Sequence, residues 1–98
     1  MEKRLIVYIV KCKDDSYYTG VTNNVEKRMI EHNTGLVKKS YTYPRRPVKL
    51  IYSQEFSDMN QAIRFEKQIK GWSRAKKEAL IEGNFGKLVN LSNKKSVK

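Results

Sequence analysis

Three shortages bound what this chain can be. Cysteine is nearly absent: Cys12 is the one thiol among 98 residues. No internal disulfide can form and a thiolate cage for a metal is excluded, so a thiol buried in a strand is the expected role. Long hydrophobic runs are missing too. The densest, Leu5-Ile6-Val7-Tyr8-Ile9-Val10, follows a charged start and gives way to Lys11, which is too short for a membrane span or a signal-peptide core. The protein is therefore expected to stay in the cytoplasm, away from membranes. Acid is the third shortage: 10 Asp plus Glu face 21 Lys plus Arg, for a net charge of +11. Such an excess repels itself in any compact fold, and a polyanion relieves that repulsion. Nucleic acid ranks first as the partner, ribosome association second and an anionic membrane a distant third, with simple solubility as the bland alternative.

What is present is enough for one domain with one modest core, since a chain of this size hides somewhat more than about 60% of its unfolded surface. No internal repeat or interdomain linker is visible. Leu5 to Lys11 is rich in β-branched and aromatic residues, Asp14-Asp15-Ser16 is turn chemistry and Tyr17 to Thr22 is strand-like again, which predicts a hairpin. Asn23 followed by Glu26 has the form of a capping box for a helix from about Asn24 to Thr34, with Gly35 placed to stop it. The stretch from Leu36 to Pro47 holds both prolines and no sustained period, and reads as a loop. Val48 to Ser53 supplies a third strand. Ser57 or Asp58 can cap a second helix reaching Lys70, and Ser73 a third ending before Gly83. Residues 1–83 thus form the domain. Residues 84–98 are expected to be an extension in which Phe85, Leu88, Val89 and Leu91 pack a short helix or turn before a frayed, basic end.

Five side chains fall at spacings that the hairpin and two helices can gather into one pocket: Tyr8, Tyr18, Arg28, His32 and Glu66. At about 100° per residue, Met59, Ala62, Ile63 and Ile69 define one face of the second helix, and Glu66 falls in the middle of it. A charged, unpaired carboxylate there costs several kcal/mol, so a cation must compensate. That cation is either an ion-pair partner such as Arg28 or Lys70, or a metal. Val25 and Met29 mark the buried face of the first helix, with Arg28 and His32 as i, i+4 neighbours along one edge and Glu31 on the opposite side as a surface charge. Tyr17 must face away from Tyr18. Gly20 shares the parity of Tyr18, which leaves room for a phosphate at the backbone or for a bulge. Lys38, Lys39, Tyr41, Arg45 and Arg46 interleave cations with aromatics, a composition suited equally to phosphate contact and base stacking or to a loop anchored by Tyr41 or Tyr43 with its charges solvated. Lys70, with Lys67, Arg74, Lys76 and Lys77, can extend that basic surface.

The runs Ile6-Val7-Tyr8, Tyr18-Thr19-Gly20, Arg28 with His32, Tyr41-Thr42-Tyr43-Pro44-Arg45-Arg46-Pro47-Val48-Lys49-Leu50 and Glu66-Lys67-Gln68-Ile69-Lys70-Gly71-Trp72-Ser73 resemble, in order and spacing, the GIY-YIG nuclease superfamily. They look like its small stand-alone single-domain bacterial members. The resemblance covers roughly the first four fifths of the chain, and its specificity lies in the ordered combination. It implies an α+β fold, a three-stranded antiparallel sheet flanked by helices in the order ββαβαα, and hydrolysis of nucleic-acid phosphodiesters with a divalent metal. By that resemblance Glu66 would hold Mg²⁺ or Mn²⁺ and Arg28 would brace the phosphate. Tyr18 would act as base, Tyr8 would orient water or phosphate, and His32 would bond a tyrosine or shuttle a proton, the two tyrosine roles being exchangeable. A phenol with a pKa of about 10 needs nearby cations to lower it for that task.

The sequence departs from the pattern where Ile6 replaces the first motif's glycine and Thr19 the second motif's isoleucine. No spacing selects Asn84 or Asn90 as the family's late asparagine. The function expected is a metal-dependent endonuclease acting on DNA more than RNA, in repair or recombination, as a monomer. The alternatives are a noncatalytic nucleic-acid- or ribosome-binding module and a purely structural protein.

Overall fold

The computed structural model describes residues 4–36 and 38–96, with side chains in the last helix described as far as Leu91. Three antiparallel strands, β1 (Leu5–Lys11), β2 (Tyr17–Thr22) and β3 (Lys49–Phe56), lie in the order β2-β1-β3. Four helices complete the fold: α1 (Val25–Thr34), α2 (Met59–Lys70), α3 (Arg74–Glu82) and α4 (Phe85–Ser96). The architecture is the α+β class expected, with a fourth helix added to the expected order.

Placing the most apolar segment in the centre of the sheet explains why it reads as an unbroken hydrophobic run. Alternate β1 side chains point to opposite faces, and both faces are covered. Val7 and Ile9 pack with Ala62 and Ile69 of α2 and Leu80 of α3. Tyr8 and Val10 pack with Cys12 and Val48, against which Val25 and Met29 of α1 lie. Cys12 is buried as expected, but in the hairpin turn, where its N–H donates to Ser16 O at 2.8 Å, and not in a strand.

Several boundaries differ from those read in the sequence. Asn24, not Asn23, caps α1: the Thr22 hydroxyl accepts the Asn24 N–H at 3.2 Å, and from this extended position the Asn24 side chain accepts the Lys27 N–H at 3.0 Å. The Asn23–Glu26 capping box is therefore replaced by an arrangement one residue later. Gly35 ends α1 in the left-handed region, at φ 72°, as a glycine at this position readily does. β3 begins one residue later than expected and continues to Phe56, because its pairing with β1 runs on from Tyr8 opposite Ser53 to Leu5 opposite Phe56. Its polar Gln54 and Glu55 are simply exposed positions on an edge strand.

Helix α2 starts at the Asp58 cap and α3 at the Ser73 cap. The buried arc of α2 is formed by Ala62, Phe65 and Ile69, whereas Met59 and Ile63 are exposed. Glu66 is buried at the edge of this arc and not in its middle. The Asn84 side chain accepts the Lys87 N–H at 3.0 Å at the start of α4, which gives that asparagine a capping role. α4 is longer than the expected short turn: Leu88 packs against the core and the helical backbone continues to Ser96. Of the end expected to fray, Ser92 to Lys98, the backbone is helical as far as Ser96, and residues 97 and 98 lie outside the described residues. No helix among the described residues is long and apolar enough to cross a membrane.

Candidate functional site

On the α1 side of the sheet, the hairpin and α1 bring four of the five sequence candidates together. Tyr8 is fully buried, and its hydroxyl lies 2.9 Å from His32 Nε2. Tyr18 lies beside both, its ring centroid 6.4 Å from that of Tyr8 and 5.5 Å from that of His32. Arg28, one helical turn before His32, places its guanidinium beside the Tyr8 phenol. Tyr18, Arg28 and His32 line one pocket of about 260 Å³ together with Glu31 and Ser40. Tyr17 faces the other side of the sheet, under the Arg74 guanidinium at 4.2 Å.

Burial decides the protonation of the two inner groups. It pushes the Tyr8 phenol up to about 12, with the neighbouring Tyr18 adding to the rise and Arg28 pulling only partly against it. The lowering that a tyrosine base requires is thus not found at Tyr8, because the charged form would sit in the interior. Burial, then the positive charge of Arg28, lowers His32 below its ordinary value of 6.5, which keeps the imidazole neutral at pH 7.

Glu66 lies within electrostatic range of Tyr8 but does not line the pocket. Its Oε2 is 2.9 Å from Lys70 Nζ, one helical turn away, and this hydrogen bond raises the Lys70 pKa. The compensating cation anticipated for a buried acid is therefore Lys70. As a donor set, one carboxylate beside a pocket fits Mg²⁺ or Mn²⁺ when substrate oxygens and water complete the shell. The described residues contain no group of three or more His, Cys, Asp or Glu able to hold an ion by themselves.

The segment before β3 is fastened over the pocket more tightly than its composition suggests. Tyr41 stacks on Tyr18, with ring centroids 5.9 Å apart and planes 18° from parallel. Arg45 covers the Tyr41 ring at 3.9 Å, donates to Tyr41 O at 2.8 Å and pairs with Asp14 at 3.1 Å. Arg46 covers Tyr43 at 4.2 Å and donates to its carbonyl at 2.7 Å. The Asn33 side chain bonds both Val48 N and Val48 O. Arg45 and Arg46 thus serve first to hold the loop, while Lys38 and Lys39 are exposed on its turn.

Three expectations need correction. Gly20 leaves no opening for a phosphate and forms no bulge: it pairs with Tyr8 across the sheet, and a Cβ there would stand 2.5 Å from the Tyr8 hydroxyl oxygen. The glycine exists to admit the Tyr8 ring. Lys76 is buried over Trp72 at 4.6 Å and is a structural cation, not part of an open basic surface, whereas Arg74 stays exposed while bonding Asp15 O and Glu78. Glu31, read as a surface charge, lines the pocket and pairs with Arg28 at 3.1 Å.

Thr42 and Ser40 were not legible as site residues. Thr42 is fully buried, and its hydroxyl lies 2.8 Å from His32 Nδ1 and 2.8 Å from Ser40 Oγ. The one signal available was a small polar residue set between tyrosines in an otherwise basic loop.

Comparison with known proteins places the whole arrangement in context. A profile described as the GIY-YIG catalytic domain matches residues 4–79. The UPF0213 protein of Staphylococcus haemolyticus is 54% identical over 76 residues, spanning 78% of this chain and 92% of that protein. UPF0213 protein YazA of Bacillus subtilis is 48% identical over 75 residues, 76% of this chain and 75% of that one. Among solved structures, the UPF0213 protein BH0048 of Bacillus halodurans is 39% identical with a TM-score of 0.55, covering 82% of this chain and 84% of its own. Protein EF2693 of E. faecalis is 33% identical with a TM-score of 0.60, covering 87% and 92%. Because the matched span takes in the hairpin tyrosines, Arg28, His32 and Glu66 together, the chain belongs to the GIY-YIG catalytic-domain family, a nuclease superfamily, alongside the small UPF0213 proteins.

Proposed function

We propose that this chain is a metal-dependent endonuclease that hydrolyses nucleic-acid phosphodiester bonds, DNA in preference to RNA, in cytoplasmic repair or recombination. The observation that carries the reading is the single pocket that Tyr18, Arg28 and His32 share, with Tyr8 locked behind them. The net charge of +11 supplies the long-range attraction for a polyanion.

The residue roles follow from exposure and chemistry. Tyr18 faces the pocket and is the base that takes a proton from the attacking water. Tyr8, held neutral at the bottom of the site, positions His32 and Arg28. The Arg28 guanidinium turns from Glu31 to the phosphate, whose geometry its fork matches. Glu66 would hold Mg²⁺ or Mn²⁺ in place of its present partner Lys70, whose ammonium would then join the phosphate contacts. A divalent ion held there supplies charge neutralisation at the phosphate and help for the departing oxygen. Lys38 and Lys39, exposed just before Ser40 in the chain, and Tyr41, stacked on Tyr18, serve as backbone and base contacts.

The test is a screen of branched, nicked, single-stranded and duplex substrates with the metal varied. Metal-dependent nicking is expected, lost in Glu66→Ala, Arg28→Ala and Tyr18→Phe while each variant stays folded. Equal cleavage by wild type and Glu66→Ala would mark a contaminant and sink the reading. A noncatalytic binding module is the second reading, and the existing Glu66–Lys70 pair favours it, since the carboxylate already has its cation. It predicts salt-sensitive binding with no turnover under any metal.

A further inference from the structure

Four side chains form a continuous hydrogen-bonded line from the bottom of the site to its wall. Tyr8 Oη meets His32 Nε2 at 2.9 Å, His32 Nδ1 meets Thr42 Oγ1 at 2.8 Å, and Thr42 Oγ1 meets Ser40 Oγ at 2.8 Å. Three of the four are buried, and Ser40, half-buried, reaches the pocket that Tyr18 and Arg28 line. The direction in which the protons point along this line follows from what each end can accept.

Tyr8 is fully buried, its hydroxyl reaches no hydrogen-bond acceptor other than His32 among the described residues, and the Arg28 guanidinium beside it can only donate. A Tyr8 proton aimed anywhere but at His32 would be unsatisfied, a loss that buried polar groups rarely sustain. His32 Nε2 must therefore accept, and the neutral imidazole carries its proton on Nδ1. That N–H donates to Thr42 Oγ1, which sends the threonine proton on to Ser40 Oγ. Ser40 Oγ also accepts the Thr42 N–H at 3.2 Å, so both of its lone pairs are taken. Its own O–H has nowhere to point except into the pocket.

We infer that Ser40 is a substrate-contacting donor, its hydroxyl turned permanently toward a phosphate oxygen by the one-way line Tyr8–His32–Thr42. This rests on the nucleic-acid reading above. Thr42 and His32 act through Ser40 and are positioning residues, and the line explains why a fully buried threonine stands in a basic surface loop.

The chain has one histidine, so a long-range ¹H–¹⁵N spectrum of the full chain contains one imidazole. At neutral pH it should show Nδ1 protonated and Nε2 bare. Thr42→Val should raise the Nε2-protonated fraction, whereas Ser40→Ala should leave the proton on Nδ1. Binding of a short fluorescein-labelled single-stranded oligonucleotide at low salt should weaken by about tenfold in Ser40→Ala, the scale of one hydrogen bond to a charged group, and recover in Ser40→Thr. An Nε2-protonated wild type would overturn the inference, as would Ser40→Ala binding as tightly as a wild type that does bind. A wild type that binds no oligonucleotide at all brings down the functional reading along with this one. Should Thr42→Val fail to fold, the wild-type tautomer and the Ser40 variants decide the matter alone.

Discussion

The two faces of the sheet are built from the same strands on opposite principles. On the α2 and α3 side, Val7, Ile9, Ala62, Ile69 and Leu80 form a core held by burial alone. On the α1 side, Tyr8, Thr22, His32 and Thr42 are as deeply buried, but each is wired to a partner. The contrast is sharpest at Thr19, on the apolar side, whose hydroxyl is the one buried side-chain polar atom without a hydrogen-bond partner among the described residues. Stability is concentrated on one face and chemical precision on the other. Substitutions should separate accordingly.

The largest effect expected is on the apolar face. Ile69→Ala should cost about 2–5 kcal/mol of unfolding free energy in denaturant titration, because the cavity sits under the central strand. The Tyr8–His32 bond should remain visible by NMR in the fraction still folded. Next, Gly20→Ala should cost about 1–3 kcal/mol, since the new methyl must push the Tyr8 ring aside. Here the His32 ring resonances should move, which distinguishes damage to the wired face from plain loss of core.

A pH titration sharpens the comparison further. His32 has a lower pKa folded than unfolded, through burial and Arg28. Below the ordinary value of 6.5 the unfolded chain binds the extra proton first, so this contribution to stability is complete above that value and declines as pH falls toward the folded pKa. His32→Gln should be less stable at pH 8 and show a shallower fall on acidification than wild type. The smallest effect, opposite in sign, is expected for Thr19→Val. Removing an unpaired buried hydroxyl should stabilise the fold by about 1 kcal/mol, and an unchanged denaturation midpoint would mean the hydroxyl is not orphaned.

The hairpin and the helices were legible because their signals are local. β-branched density, Asp58 and Ser73 as caps and Gly35 and Gly83 as stops act within a few residues. Tyr8, Tyr18, Arg28 and His32 could be placed on one side because strand parity and the helical period carry direction. What escaped depends on which partner a side chain or strand meets in the folded chain, near or far in sequence. The extent of β3 is set by pairing with β1, and the Asn24 cap by Thr22 at the end of β2. The burial of Lys76 is set by Trp72, and the parts played by Thr42 and Ser40 by His32, ten and eight positions away. The loop from Leu36 to Pro47 has no period to read, so its order, imposed by Asn33, Asp14 and two arginine–tyrosine stacks, left no trace in its spacing.

The central claim is that the wired face, with Glu66 at its border, works on phosphodiesters with a divalent ion. A Mg²⁺ titration of the full chain bound to a non-cleavable oligonucleotide, followed by NMR, tests it most directly. The expected result is saturable shifts at Glu66 and Lys70, as their ion pair opens, together with Tyr18 and Arg28. Shifts confined to surfaces remote from these residues, with the Glu66–Lys70 pair undisturbed at saturating metal, would contradict it.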